Sequence, residues 1–401
     1  MDRSRQPEHG RIEVVDALRA FALAGILQVN IQSFAWGAGD PLGFFAEPPG
    51  PADALAHLLV GIFVSGKFLS MFAFLFGLGL ALQWRSLTRR LAADQAQRVY
   101  RRRLRFLLVL GLAHGVLLYF GEILAGYALI GFLLLGHARQ RLSALLAAAR
   151  AWWLGFALLT VASAAAIEGL WRVLPPEEDP ARVPAWAIDR LAIYTQAGYL
   201  EQIGPRLADY LSVLGTTAVL GVPQIMALFL LGAIAGRLGW LAQPQRHPRV
   251  WRAAALVGVA ALPFAIGGAW LNFVTMRDSP GDPAAIGYAL QNVGTLMACL
   301  YVVLFIRLGE RASTRRLIAW LAPAGRMPLT NYVGQSVAMG LLLSGWGLGL
   351  GSTLDRVDLA LLALAIVAVQ LLASHAWVGR FGQGPLEALW RRATYGAQRW
   401  K

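Results

Sequence analysis

The sequence predicts an all-α integral membrane protein with about ten spanning helices and both termini on the cytoplasmic side. Three observations carry this: a shortage of charge, apolar runs of membrane-spanning length, and loops that alternate between basic and acidic. Of 401 residues, 57% are hydrophobic and only 14% charged, whereas a soluble globular chain carries roughly a quarter charged residues. The mean hydropathy is +0.54. The 43 Gly and 14 Trp agree, because Gly is commoner in spanning helices and Trp gathers at the two membrane interfaces.

A bilayer core about 30 Å thick needs roughly 20 apolar residues of helix. On that template spans fall at about 14–36, 54–83, 104–120, 122–138, 152–171, 207–236, 250–271, 285–307, 324–346 and 357–378. The first run holds Arg19 and Asn30 and has no small-residue cleavage site, so it reads as a retained helix, not a signal peptide. The segments 104–120 and 122–138 are joined by Gly121 alone.

Loop charge sets the orientation. The 85–105 connection holds Arg85, Arg89, Arg90, Arg98, Arg101, Arg102, Arg103 and Arg105. The 139–150, 237–252 and 307–326 connections and the tail after 379 are also Arg-rich. The intervening loops carry Asp40, Glu47 and Asp53, then Glu122, then Glu177, Glu178 and Asp179. This is the sorting expected when Lys and Arg stay on the cytoplasmic face of a bacterial inner membrane. It also accounts for the net charge of +14 without nucleic acid. The whole chain, 1–401, reads as one polytopic domain with a cytoplasmic tail at 379–401. The segment 172–206 reads as an external amphipathic connection, its helix lying at the outer interface.

Ionisable and amide side chains inside a span are costly, so each is a candidate for function. Toward the outer half lie Asn30, His57, His114 and Glu122; toward the inner half lie Asp16, Arg19, Asn331 and His375; Lys67, Gln335 and Ser336 fall near the middle. Asp16 and Arg19 are three apart, neighbours on one helix face and matched as an ion pair. Lys67 follows Gly66 and marks a break in a long span. His114 has no other ionisable residue between Arg105 and Glu122, and an imidazole there can act as acid or base, with a carboxylate to orient it. On one continuous helix His114 and Glu122 would stand about 12 Å apart, so they meet only if the chain turns back at Gly121. Gly77 and Gly79 sit inside an apolar helix and read as close packing. Such a face packs equally well within one bundle or between two chains, which leaves a homodimer open. Walker, HExxH and GxSxG motifs are missing. The six scattered His and the single Cys299 give no expectation of a metal or a disulfide.

Five segments resemble the YeiB family, a family of unknown function: VVDALRAFALAGILQVNI at 14–31, GKFLSMFAFLFGLG at 66–79, RRLRFLLVLGLAHGVLLYFGEILAGYALIG at 102–131, AGRMPLTNYVGQS at 324–336 and RFGQGPLEALWRRATYG at 380–396. Where that family usually has Asp in its GDIL motif this chain has Glu122, and it has Ala20 where an LRG triplet is usual. The DALR opening is more distantly similar to the first helix of transmembrane acyltransferases. These include heparan-α-glucosaminide N-acetyltransferase and the bacterial acyltransferase-three group. Where that group carries a His after its Arg, this chain has Asn30; the glucosaminide enzyme also has Asn and takes its His from the following loop. Here the 37–53 loop has no His and Asp40 is its nearest ionisable group, which leaves His57 and His114 as candidate bases.

The resemblance implies an acyltransferase that moves an acyl, for example acetyl, group from cytoplasmic acyl-CoA to a hydroxyl or amine of a small molecule or glycan at the outer side. His114 would be the base, Glu122 would orient it and Asn30 would hold the carbonyl oxygen. Arg19, Asn331 and Gln335 would line the donor side, with acetyl-CoA as co-substrate. The alternative is a small-molecule transporter, since midplane polar residues and spans broken at Pro223, Pro263 and Pro328 also suit one; a scaffold or ligand sensor is a third reading.

Overall fold

The computed structural model describes residues 6–37, 50–173, 185–277 and 282–396. Asp40, Glu47, Glu177, Glu178 and Asp179, part of the loop-charge pattern, lie outside the described residues. Within them every regular element is helical. Seven segments are long and apolar enough to cross a membrane: Glu13–Trp36, Pro51–Thr88, Leu142–Gly169, Tyr199–Leu238, Pro248–Val274, Ala285–Glu310 and Arg356–Phe381. These coincide with seven of the ten expected spans. The other three correspond to helices that are shorter or more polar. They are α4 (Ala93–Leu117), whose first half holds the arginine run, α5 (Leu124–Gly136) and α14 (Pro328–Leu343).

Helix α1 (Gln6–Trp36) runs through the middle of the molecule, with Ala17, Leu18, Ala22, Leu27 and Ile31 each almost fully buried. One end of α1 is crossed by α13 (Arg315–Gly325), where a side chain on Gly325 would overlap the Asp16 carbonyl. Next come α2 (Pro51–Phe63) and α3 (Lys67–Thr88). They were expected as one span, and Gly66, in the left-handed region at φ +77°, separates them where Lys67 marked the break. A Cβ would be strained there. Helix α3 packs on α9 (Val222–Leu238) through paired glycines. A Cβ on Gly77 would overlap the Phe229 carbonyl, and one on Gly232 the Phe74 carbonyl. Gly77 thus makes the close packing read from the sequence, within the chain, whereas Gly79 faces the Arg19 guanidinium and lines a cavity.

Within 172–206 the described part forms α7 (Ala185–Gln196), and α8 (Tyr199–Thr216) follows. Tyr194 of α7 is buried and donates to Asp209 of α8 at 2.7 Å, so α7 is tied to the bundle. Helix α6 (Leu142–Val173) instead presents Leu154, Leu158 and Val161, each about two-thirds exposed. An outward apolar stripe of this kind suits lipid and not water. Helices α10 (Pro248–Arg277), α11 (Asp282–Gly294), α12 (Ala298–Glu310) and α15 (Arg356–Phe381) complete the spanning set. A short α16 (Pro385–Tyr395) then folds back over the arginine-rich end.

Candidate functional site

The chain around His114 is shaped by two helix ends. Leu107, Gly111 and His114 fall on the buried face of α4. After His114 the helix stops: the amides of Leu118 and Tyr119 both donate to the His114 carbonyl at 2.9 Å. Arg206 and the Tyr199 hydroxyl, both of α8, donate to the last carbonyl of α4, that of Leu117, at 2.9 and 3.0 Å. Cationic and hydroxyl donors at a helix C-terminus satisfy carbonyls that the helix leaves open. The chain then turns back, as the Gly121 junction suggested. Glu122 starts the next helix by accepting the amides of Leu124 and, at 3.0 Å, Ala125. Gly111 makes room, since a Cβ there would press on Glu122 and overlap the Ala125 amide.

His114 and Glu122 are therefore close in the fold, but the expected pairing is not made. Glu122 spends its oxygens on α5 amides and on the Tyr210 hydroxyl at 3.4 Å, which is a helix-capping role. The partner of His114 is Ser336, with Nε2 and Oγ 2.9 Å apart. The imidazole is 3% exposed, its ring centroid lies 5.1 Å from that of Tyr332, and Nδ1 has no partner among the described residues. In the tautomer that donates from Nε2 to Ser336, Nδ1 offers a free lone pair. Buried polar atoms nearly always find partners, so an exception of this kind needs explaining.

A cavity of about 360 Å³ adjoins this site. Its polar end holds Arg19, Arg103 and Arg326; its apolar end reaches Leu124 and Tyr332, beside His114. From Arg103 to His114 is about 16 Å along α4. Arg19 and Asp16 form the expected pair at 2.6 Å, with the Arg19 side chain 27% exposed. Helix α16 braces the polar end. The Arg103 guanidinium lies 3.5 Å over the Trp390 ring, and Trp390 Nε1 donates to the Arg103 carbonyl at 3.0 Å. Glu387 accepts the first amides of α14, from Leu329 at 2.6 Å and Thr330 at 3.1 Å. Stacked guanidinium and carboxylate cap fix geometry more than a lone surface pair would.

Asn331 and Gln335, read as donor-side residues, are placed elsewhere. Asn331 Nδ2 donates to the Ala324 carbonyl at 3.0 Å and to Ser374 at 3.1 Å. Gln335 donates to Gln370 at 3.0 Å, and Gln370 to the Asn331 carbonyl at 2.9 Å. They line a separate void of about 20 Å³, large enough for one water at most. Asn30 is half-buried; helical spacing sets it on the side of α1 that carries Leu23 and Leu27, and Leu23 lines the larger cavity. His375 bonds the Trp320 carbonyl at 2.6 Å and His57 lies against Phe273, with ring centroids 5.7 Å apart, so neither joins His114. Lys67 is fully buried and donates to the Gly61 carbonyl at 2.7 Å. Among the described residues no three His, Cys, Asp or Glu side chains gather to hold a metal.

Helices long and apolar enough to span a bilayer, an outward apolar stripe and an interior cavity with a cationic end define a multi-pass helical membrane protein. Residues 235–397 match the family described as a protein of unknown function, DUF418. The chain is 29% identical to the uncharacterised protein YxaH of Bacillus subtilis, over 96% of this chain and 94% of that one. It is also 29% identical to the uncharacterised protein YeiB of Escherichia coli, over 95% of each. An uncharacterised 39.9 kDa protein of Bacillus acidopullulyticus is 27% identical over 96% of this chain and 94% of its own. The chain is thus similar to the YeiB protein, and to these other uncharacterised relatives, along nearly its whole length. No solved structure matches it.

Proposed function

We propose that the protein is an acyltransferase of the bacterial inner membrane, taking the acyl group from a coenzyme A thioester that enters at the arginine-rich end. The observation that carries this reading is the continuity of one cavity from three guanidiniums to Tyr332, whose ring centroid lies 5.1 Å from that of His114. Guanidiniums suit the phosphates of the donor, and the apolar depth suits its pantetheine arm. His114 Nδ1 takes the proton of an acceptor hydroxyl or amine as the acceptor oxygen or nitrogen bonds to the thioester carbon. The carbon–sulfur bond then breaks and the thiolate leaves, to be protonated as free thiol. Ser336 holds the imidazole in the competent tautomer. Asn30 would steady the developing oxyanion, and the acceptor, a small molecule or a glycan, would come from the outer side.

The test is acetyl-CoA binding and thiol release by the detergent-solubilised chain, with hydroxylamine as surrogate acceptor. Arg326→Gln is expected to weaken binding about tenfold, as one charge-assisted contact is lost. A stably folded protein that neither binds nor cleaves any acyl-CoA sinks the proposal.

One observation favours transport as a second reading. The α2–α3 break at 64–66, a π turn at Thr217–Gly221 and a 3₁₀ turn at Thr295–Met297 interrupt three spans. Two of them meet, since a Cβ on Gly66 would press on Thr295, and Gln224, just after the π turn, donates to Thr295 at 3.2 Å. Broken spans near a buried Lys67 are features of transporters. Substrate flux in proteoliposomes that Lys67→Met abolishes and His114→Gln leaves intact would select this reading over acyl transfer.

A further inference from the structure

A second cavity, of about 390 Å³, lies where α3, α5, α6 and α9 come together at the arginine-rich end. Its rim carries Trp84, Arg85, His137 and Arg237, and its floor includes Leu80, Leu134 and Leu145, all three nearly inaccessible. The four rim residues play different parts. Arg237 is already committed, donating to the carbonyls of Gln140 at 2.6 Å and Ala138 at 2.5 Å, so it fixes the wall at the C-terminal end of α5. The His137 ring bonds the Leu133 carbonyl through Nδ1 at 3.1 Å, which leaves Nε2 for another partner. Arg85 is exposed, and its guanidinium has no partner among the described residues.

A cationic rim over an apolar floor matches a ligand that is anionic at one end and apolar at the other. A free phosphate would gain nothing from the leucines. The surface beside the rim extends the match: Leu82 of α3 is 44% exposed and Leu133 of α5 is 51% exposed, each within a turn of a rim residue. Acyl chains would continue along them, and Trp84 at the rim is of the residue type that collects at membrane interfaces. We propose that this cavity is a binding site for one anionic phospholipid, its phosphate held by Arg85 and His137 with Trp84 beside it. The site is independent of the acyl-donor cavity and of any catalytic reading.

The experiment is a titration of the full-length, detergent-solubilised chain with phosphatidylglycerol, followed by native mass spectrometry. Three forms are compared: wild type, Arg85→Gln, and Arg98→Gln as a control of equal net charge in the same basic region. Arg85 is exposed and unpartnered, so the substitution leaves the fold in place, which an unchanged Tm verifies. The wild type and Arg98→Gln are expected to retain one phosphatidylglycerol with similar affinity, and Arg85→Gln to hold it about tenfold more weakly, as expected for one lost charge-assisted contact. Phosphatidylcholine is expected not to compete. Equal weakening in both variants would mean diffuse attraction to the basic face and would overturn the site. So would displacement of the lipid by inorganic phosphate, which would make the ligand a soluble anion.

Discussion

Two buried polar clusters lie on neighbouring parts of α14, and they differ in what they have left to give. Around Asn331 the amides and hydroxyls bond one another and the backbone: Asn331 to Ala324 and Ser374, Gln370 to Asn331, Gln335 to Gln370. The void beside them holds about 20 Å³. Around His114 a single bond to Ser336 leaves Nδ1 unpartnered, and a cavity of about 360 Å³ lies across Tyr332. Gln335 Oε1 in the first cluster also has no partner among the described residues, but it has almost no space beside it, and a network otherwise satisfied rigidifies a fold. Spare hydrogen-bonding capacity beside open volume is what a ligand can use. The comparison assigns structure to the first cluster and chemistry to the second.

The largest expected effects separate the two clusters by readout. His114→Gln keeps a polar group of similar bulk beside Ser336 but removes the proposed base. Thiol release from acetyl-CoA should fall by about a hundredfold or more, the usual weight of a general base, with Tm nearly unchanged. Asn331→Ala should do the opposite. It strands the Ala324 carbonyl and the Ser374 hydroxyl, costing about 2–3 kcal/mol of stability, while the folded fraction keeps its acetyl-CoA affinity. The comparison breaks if the two variants exchange phenotypes, so that His114→Gln unfolds the protein and Asn331→Ala abolishes binding at unchanged Tm.

Glu122 sharpens the boundary between the clusters. It lies near His114 in space, yet its oxygens serve the amides of Leu124 and Ala125, which puts it with the satisfied groups. Glu122→Gln keeps one carbonyl oxygen for the cap but drops the charge at the start of α5. The expected cost is about 1 kcal/mol in stability, read as a lower denaturation midpoint, with thiol release reduced by less than about tenfold. A loss as deep as that of His114→Gln would move Glu122 to the chemical side and restore the pairing read from the sequence.

Much of this architecture was legible in the residues, and the parts that were not share a physical cause. Apolar length gave seven spans; the i,i+3 spacing gave the Asp16–Arg19 pair; Gly66 before Lys67 gave the α2–α3 break; Gly77 gave the α3–α9 seam, while Gly79, read the same way, faces Arg19. Each is a local property, encoded in residues a few positions apart. The cost of burying polar groups drew attention to His114, and the same cost drew it to Asn331 and Gln335. That rule does not separate a satisfied group from an unsatisfied one, because the partners lie on other helices: Ser374 is 43 residues from Asn331 and Ser336 is 222 from His114. Arg103 and Arg326 looked like ordinary arginines of basic loops. The contacts of Arg103 with Trp390, 287 residues away, and of Arg326 with the Gly382 carbonyl at 2.9 Å bring the tail to the cavity and mark them out.

The smallest expected effect calibrates the scale, because it concerns charges with neither burial nor spare role. Asp94 and Arg139 meet at 2.6 Å with side chains 77% and 53% exposed. Arg139 donates a hydrogen bond to the Asp94 carboxylate and lies beside it as a positive charge, and both effects hold its pKa below the usual 3.8. A carboxylate whose folded pKa is depressed adds stability that is present above its unfolded pKa and lost as the pH falls through the folded value. Asp94→Asn should therefore differ from wild type slightly at pH 7 and converge with it below about pH 4. Water and salt screen a pair this exposed, so the difference at pH 7 should also shrink in high salt. Thermal melts at the two pH values and at low and high salt measure this. A large, salt-independent loss in Asp94→Asn would mean that the arginine-rich end is held by its ion pairs, and the contrast between satisfied and spare polar groups would then have to be redrawn to include its surface.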